Sequence, residues 1–408
     1  MKREFAVRNC SSWVISLLLM SSVVLFYPTV GNAESVRGVT DTTIKIGGIL
    51  DQTGPFAGDI TLPASEALRN YTRYVNDGGG IFGRKIKLII EDDHYSIPVG
   101  IAAFKKLLFK DRIFALVGPA STPEAKALYG QIERLKVPNI SGAPDETQVS
   151  PLKRYIFMPF NVYDDHLGIV YDHIVNDLKP KRLNIILVYP DAETGKIALA
   201  CTKKWAKHFN FTFHTEILNL SVLDATSQVM SIRRKKPTHI VIHHGSAGAV
   251  MLLRDLRKFG LNIPVYGDML SCTEDTAILG GDASKNYFGV HPFSSWYEVE
   301  DGVQKMRKIT LQYKPGTEKP YRNKFYVAGW VISRVIYEGI KRAGKDLNSE
   351  SMVAALESFR NFDTKGVCGP ITFTPTEHQG IYHAKLYKAD PDKGELVPLS
   401  GWRLPPLR

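Results

Sequence analysis

The feature that most constrains this chain is a repeated change of hydrophobic period. Short apolar runs bounded by turn residues alternate with longer segments in which apolar residues recur every three or four positions. Residues 44–49 are the first run, and 63–76 follow with helical spacing through Ala67, Leu68, Tyr71, Tyr74 and Val75. The series continues as strand 85–90, helix 99–109, strand 114–117, helix 124–135 and strand 137–141. A second series runs through strand 183–189, helix 195–208, strand 211–216, helix 225–234, strand 239–243, helix 248–259 and strand 264–266. Strands joined by crossover helices are parallel and are covered on both faces. The spacing therefore predicts an α/β protein with two doubly wound parallel-sheet lobes. After 288–290 the chain reads as mainly helical (301–313, 323–343 and 349–359), closing on short strands at 371–373 and 383–387.

A chain of 408 residues exceeds one comfortable core, in keeping with two lobes. At 44% hydrophobic and 23% charged it is not a disordered or fibrous sequence. Its long apolar run lies at the N-terminus. Lys2, Arg3 and Arg8 precede an apolar stretch at 13–26, and Gly31-Asn32-Ala33 places small residues where a signal peptidase cuts. Residues 1–33 are expected to be a signal peptide cleaved after Ala33, leaving an exported, soluble chain; an uncleaved membrane anchor is the alternative. Cys10 precedes the apolar run and so is not a lipid-bearing cysteine. Cys201, Cys272 and Cys368 remain, and three thiols allow at most one internal disulfide, with the pair left open. No Cys/His spacing calls for zinc, and no metal or cofactor is expected. The formal charge is +11, but the basic residues are scattered and the longest run, Arg233-Arg234-Lys235-Lys236, has no aromatic interleaving. No nucleic-acid partner is expected. The charge suits contact with an acidic membrane surface or partner instead.

The tempting catalytic motifs fail on context. Gly78-Gly79-Gly80-Ile81-Phe82-Gly83 satisfies GxGxxG, yet it ends a helix and precedes a strand, the reverse of a dinucleotide loop. A helix C-terminus with a turn explains it better. Thr194-Gly195-Lys196 lacks the upstream glycine of a phosphate loop. His239 and His243 lie on one side of a strand about 13 Å apart, too far for one metal, although His243 or His244 has access to a ligand at the strand end. Asp92-Asp93 reads as a solvated strand end. Nothing in the chain demands catalysis, and no enzyme is expected.

Loop chemistry at strand C-termini remains, where open α/β sheets bind ligands. After 114–117 comes Gly118-Pro119-Ala120-Ser121-Thr122-Pro123-Glu124 and then a helix. Ser121 and Thr122 offer hydroxyls and N–H groups at a helix N-terminus, where an anion is favoured; plain N-capping is the alternative. Ile140-Ser141-Gly142-Ala143-Pro144-Asp145 makes a similar loop beside it. Two such loops on one sheet edge form a site for a small polar molecule.

At these residues the chain resembles the solute-binding proteins of ABC importers in the leucine/isoleucine/valine-binding group, the type I periplasmic binding proteins. The resemblance is carried by 38–47, Thr53-Gly54-Pro55, 75–86 with Glu91-Asp92-Asp93, Val117-Gly118-Pro119-Ala120-Ser121, Pro138-Asn139-Ile140-Ser141, 253–260 and Gly369-Pro370-Ile371-Thr372-Phe373, in order over nearly the whole mature chain. It implies two lobes joined by a three-strand hinge, 36–160 with 291–366 and 161–290 with 367–408. It also implies a periplasmic, monomeric carrier that traps a small polar ligand by hinge closure and presents the closed form to a membrane permease. A sensor or receptor module of the same fold is the alternative. The resemblance makes Ser121 and Thr122 the carboxylate grip and places Ala143 and Asp145 beside them. Thr194, Ser246 and Met269 would face them from the second lobe, and Tyr95, Phe325 and Tyr326 are candidates for an aromatic lid. The sequence departs from the family's amino-acid binders at Asp145 (usually Thr), Thr194 (usually Tyr) and Met269 (usually an acid that pairs the ligand ammonium). Either Asp145 or Asp268 replaces that acid, or the ligand is not a simple α-amino acid.

Overall fold

A computed structural model describes residues 36–220, 223–314 and 323–407; the expected signal peptide lies outside the described residues. Strand β1 (Thr43–Ile49) buries Ile44, Ile46 and Ile49, and pairs in parallel with β2 (Lys85–Glu91) on one side and β3 (Ala115–Val117) on the other. Strands β4 (Asn139–Ile140) and β5 (Ile156–Phe157) complete a sheet of order β2-β1-β3-β4-β5. Its crossovers are α1 (Leu62–Asp77), α2 (Ile97–Lys105) and α3 (Thr122–Arg134).

Helix α4 (Tyr163–Asp172) leads into the second sheet. There β6 (Ile185–Tyr189), β7 (Phe213–Ile217), β8 (His239–Ile242) and β9 (Val265–Gly267) alternate with α5 (Glu193–Phe209), α6 (Thr226–Lys235), α7 (Ser246–Lys258) and α8 (Glu274–Gly280). Every residue of β6 and β8 is buried, as continuous apolar runs in a sheet covered on both faces require. Strand β10 (Tyr287–His291) then hands the chain to α9 (Asp301–Tyr313), α10 (Lys324–Ala343) and α11 (Ser349–Glu357), whose apolar faces share one core with the first sheet. The chain returns to the second sheet as the antiparallel pair β11 (Lys385–Asp390) and β12 (Glu395–Pro398), giving the order β12-β11-β10-β9-β8-β6-β7.

In both sheets the strand order reverses about one strand: β1 lies between β2 and β3, and β6 lies between β7 and β8. Such switch points splay the following loops apart and open a crevice at the strands' C-terminal ends. The glycine-rich 78–83 segment does end α1 with a turn. Gly80 has φ +80°, and a Cβ there would lie 2.1 Å from the Arg84 carbonyl oxygen. Its N–H closes the helix onto the Val75 carbonyl at 2.9 Å.

Several sequence expectations need correction. Residues 371–373 form no strand; Ile371 makes only an isolated bridge with Phe362. The spacing gave no sign of α4, α8 or β12. Asp92-Asp93 is not a solvated strand end, since Asp93 is fully buried. The three thiols are unpaired, with Cys272 and Cys368 buried. No helix among the described residues is long and apolar enough to cross a membrane.

Candidate functional site

The loop after β1 is folded by one carboxylate. Asp51 Oδ1 accepts the N–H groups of Thr53, at 3.3 Å, and Gly54, and Oδ2 accepts that of Phe56 at 3.1 Å. The Thr61 hydroxyl donates to the Asp51 carbonyl. This brings Phe56 against Tyr95, ring centroids 4.8 Å apart and edge to face. Tyr95 sits at φ +55°, its N–H bonded to Asp93 Oδ1 at 3.0 Å, and burial pushes its phenol up to about 12. Asp51, Asp92 and Asp93 each bring a carboxylate oxygen within 4.8 Å of the others, and the backbone N–H groups of Gln52 and His94 occupy Asp92. Behind Tyr95 the buried Asp93 and Glu124 face one another. Burial first, then Asp93 itself, pushes Glu124 up to about 9, so the pair keeps a proton at neutrality.

The loop after β3 supplies Ser121 and Thr122. Ser121 stands at the N-cap of α3 with extended backbone, but its hydroxyl makes no capping bond. Both hydroxyl oxygens are buried and neither makes a well-formed hydrogen bond, although the Tyr163 phenol stands beside Thr122 and buried polar groups are normally satisfied. Plain capping therefore does not account for these residues.

Together these loops enclose a cavity of ≈ 50 Å³, space for a few water molecules or a small ligand. The first lobe contributes Asp51, Phe56, Ile60, Tyr95, Ser121 and Thr122, with Phe325 from the start of α10. Gly142 and Pro144 line it from the loop after β4. From the second series come Thr194, Met269 and Leu270, and Tyr163 at the start of α4. The last two loop residues, Met269 and Leu270, belong to the same buried apolar cluster as Ile49 and Phe325. A wider surface groove of ≈ 690 Å³ runs along α1, α9 and α10, away from the strand ends.

Of the residues singled out from sequence, Tyr95, Ser121, Thr122, Thr194, Met269 and Phe325 line this cavity. The others do not. The Ala143 N–H bonds the Ser141 hydroxyl at 3.2 Å and its carbonyl accepts the Gln148 amide, so both of its backbone groups serve the loop. Asp145 accepts the Thr147 N–H at 3.2 Å and hydroxyl at 2.6 Å, and Lys126 Nζ stands 3.5 Å away. Ser246 donates its N–H to Asp59 Oδ2 at 3.0 Å and pairs its hydroxyl with that of Thr273 at 2.8 Å. Asp268 is committed to His243 Nδ1 and to the Leu270 N–H at 3.0 Å. His243 and His244 do not reach the cavity. Tyr326 is core, its hydroxyl bonded to Asn70 and Thr310. Asp51, Phe56, Ile60, Tyr163 and Leu270 were not anticipated as site residues. The switch-point rule applied to β1 would have found Asp51, the second residue after the strand.

The two halves touch across the cleft through polar pairs. Besides Asp59 and Ser246, Lys126 Nζ lies 2.7 Å from Glu193, and Asn323 Nδ2 lies 2.6 Å from Asp275.

Comparison with known proteins agrees with this architecture. The chain is 24% identical over 391 residues to a Leu/Ile/Val-binding protein homolog 3 of Brucella melitensis, covering 93% of this chain and 99% of that protein. It is 23% identical over 360 residues to the Leu/Ile/Val-binding protein BraC3 of Rhizobium johnstonii, covering 86% and 92%. The fold superposes on a branched-chain amino acid ABC transporter protein from Thermus thermophilus with bound valine, with TM-score 0.83, 19% identity, and 90% and 98% of the two chains covered. It also superposes on a fatty acid ABC transporter substrate-binding protein from Thermomonospora curvata, with TM-score 0.80, 22% identity, and 91% and 95% covered. The family model described as "Periplasmic binding protein" matches residues 43–395. Two doubly wound lobes, a cavity between their strand ends and this match over most of the sequence lead to one conclusion: the chain belongs to the periplasmic binding protein family.

Proposed function

We propose that this protein is the exported solute-binding component of an ABC importer, capturing a small carboxylate-bearing molecule between lobes 36–160 with 291–366 and 161–290 with 367–408. The observation that carries this reading is the pair of buried, unpartnered hydroxyls of Ser121 and Thr122 on the cavity wall, at the N-terminus of α3. Two hydroxyl donors beside a helix N-terminus are an anion site, and a buried hydroxyl left without a partner is costly. A ligand carboxylate satisfies both.

The cavity takes its walls from both lobes, so a ligand that touches all of them stabilises the closed form over the open one. A membrane permease that recognises the closed form then receives loaded carriers. The names of the Brucella and Rhizobium relatives, and the valine in the Thermus protein, support an amino acid or a related carboxylate as cargo.

The test is calorimetry on protein that has been unfolded and refolded to remove carried ligand, titrated with leucine, valine and their non-amino carboxylate analogues. Binding that weakens in both Ser121→Ala and Thr122→Ala is expected. Carboxylate binding indifferent to both substitutions would remove the assignment.

A further inference from the structure

We propose that Asp51, on the loop after β1, receives the ammonium group of an α-amino acid ligand; this rests on the carboxylate site at Ser121 and Thr122 proposed above. The position where related amino-acid binders are expected to carry an acid holds Met269, so an ammonium needs another partner. Asp145 is filled by Thr147 and Lys126, and Asp268 by His243 and Leu270. Neither lines the cavity. Asp93 and Glu124 face each other outside the cavity lining.

Asp51 is different on each count. It lines the cavity, and it is 2% exposed. Two N–H groups occupy Oδ1 but only one occupies Oδ2, which leaves Oδ2 an acceptor site. The same N–H groups fix the carboxylate's orientation, so little freedom is lost when a ligand docks. Among the described residues no Lys or Arg lines the cavity to compete for it. The nearby carboxylates of Asp92 and Asp93 make the surroundings more negative, which favours a cation in a water-poor space. Rings of Phe56 and Tyr95 stand beside it.

Both charged ends of the ligand then belong to the first lobe, and Met269 and Leu270 of the second lobe close over its apolar part. The amino acid binds the open first lobe and is covered afterwards.

The experiment is calorimetry on the refolded full chain with L-leucine and with 4-methylpentanoate, the same skeleton without the ammonium, in the wild type and in Asp51→Asn. Asparagine keeps an acceptor for the Thr53 and Gly54 N–H groups but sets its NH2 against the Phe56 N–H, a loop effect that both ligands feel, so the difference between them isolates the ammonium. The wild type should prefer leucine by about 100-fold, and Asp51→Asn should cut that preference by about 30-fold or more, losing far more for leucine than for 4-methylpentanoate. A wild type that binds the two alike, or neither, overturns the proposal without any variant. A loss shared equally by both ligands in Asp51→Asn also overturns it and assigns Asp51 to loop folding alone. The carboxylate site fails separately, when 4-methylpentanoate binding ignores Ser121→Ala and Thr122→Ala.

Discussion

The carboxylate of Asp59 accepts the backbone N–H of Ser246 at 3.0 Å, although the two residues are 187 positions apart and belong to different lobes. Asp59 lies just before α1, and Ser246 begins α7. One lobe thus supplies the anion that the N-terminus of the other lobe's helix favours.

That contact gives closure a pH dependence. Burial, and then the Asp275 charge, push Asp59 from its ordinary 3.8 up to about 6 in this form, against the opposing pull of the Ser246 N–H. The closed form therefore binds the Asp59 proton more tightly than an open form in which Asp59 meets water. Closure gains from acidification over the interval between 3.8 and about 6, and loses that gain as pH rises through about 6. Ligand affinity should rise several-fold between about pH 7 and about pH 5, and Asp59→Asn should flatten the rise. Titration calorimetry at the two pH values checks this; equal slopes in both proteins would assign the effect to another group.

Replacing the cavity hydroxyls should separate binding from stability. Ser121→Ala and Thr122→Ala should each weaken carboxylate binding by about 1–3 kcal/mol, as for a lost hydrogen bond to a charged group. Neither hydroxyl makes a well-formed hydrogen bond in the protein, so thermal melting without ligand should be unchanged or slightly higher. A drop in melting temperature that matches the affinity loss would give these hydroxyls a structural role instead.

The junction of α4 and α5 has no spare volume. Gly168 lies under the indole of Trp205, where a Cβ would stand 2.4 Å from a ring carbon, and the indole N–H donates to the Asp164 carbonyl at 3.0 Å. Gly168→Ala should destabilise the protein by about 1–3 kcal/mol through overpacking. Denaturant unfolding measures this, and a change below about 0.5 kcal/mol would mean that the indole moves aside freely.

Lys324 is fully buried at the start of α10. Its Nζ donates to the Phe293 carbonyl at 3.0 Å and sits 3.4 Å from the centre of the Tyr387 ring. Its N–H donates to Glu274 at 3.1 Å. Burial pulls Lys324 down and pushes Glu274 up, and each charge opposes the shift of the other. Lys324→Met should cost about 3–5 kcal/mol because it removes the positive charge that offsets the buried Glu274 carboxylate, which keeps its bonds to the residue-324 N–H and the Ser295 hydroxyl. Adding Glu274→Gln should recover much of that loss in the same unfolding assay. No recovery in the double variant would argue that the lysine acts through packing alone.

Much of the fold was legible because the β6 and β8 residues and the helical faces of α1 and α9 follow simple periods, and Asp301–Tyr313 appeared at its observed bounds. Helix α4 did not show because it is buried on nearly all sides and carries polar residues inward. Asp165 accepts from Gln379 at 2.6 Å and His166 pairs with Asn161 at 2.7 Å, partners that no local pattern reveals. Ser121, Thr122 and Tyr95 could be placed at the cavity because each follows a strand of the first sheet. Ser246 was misplaced because it meets Asp59, a residue from the opposite lobe. Ala143 and Asp145 were misplaced because the loop after β4 satisfies itself and exposes Gly142 and Pro144 to the cavity instead.

Lys126 bridges Asp145 at 3.5 Å within its own lobe and Glu193 at 2.7 Å in the other, and its side chain and that of Glu193 are 31% and 40% exposed. When the lobes part, the lysine keeps one partner and Glu193 returns to water, so little is lost on separation. Asp59 likewise escapes a burial that raises its pKa. Among the described residues, the charged Lys126–Glu193 contact across the seam is one that water can replace, which leaves the apolar packing of Met269 and Leu270 against Ile49 and Phe325 as the part of the seam that separation would expose.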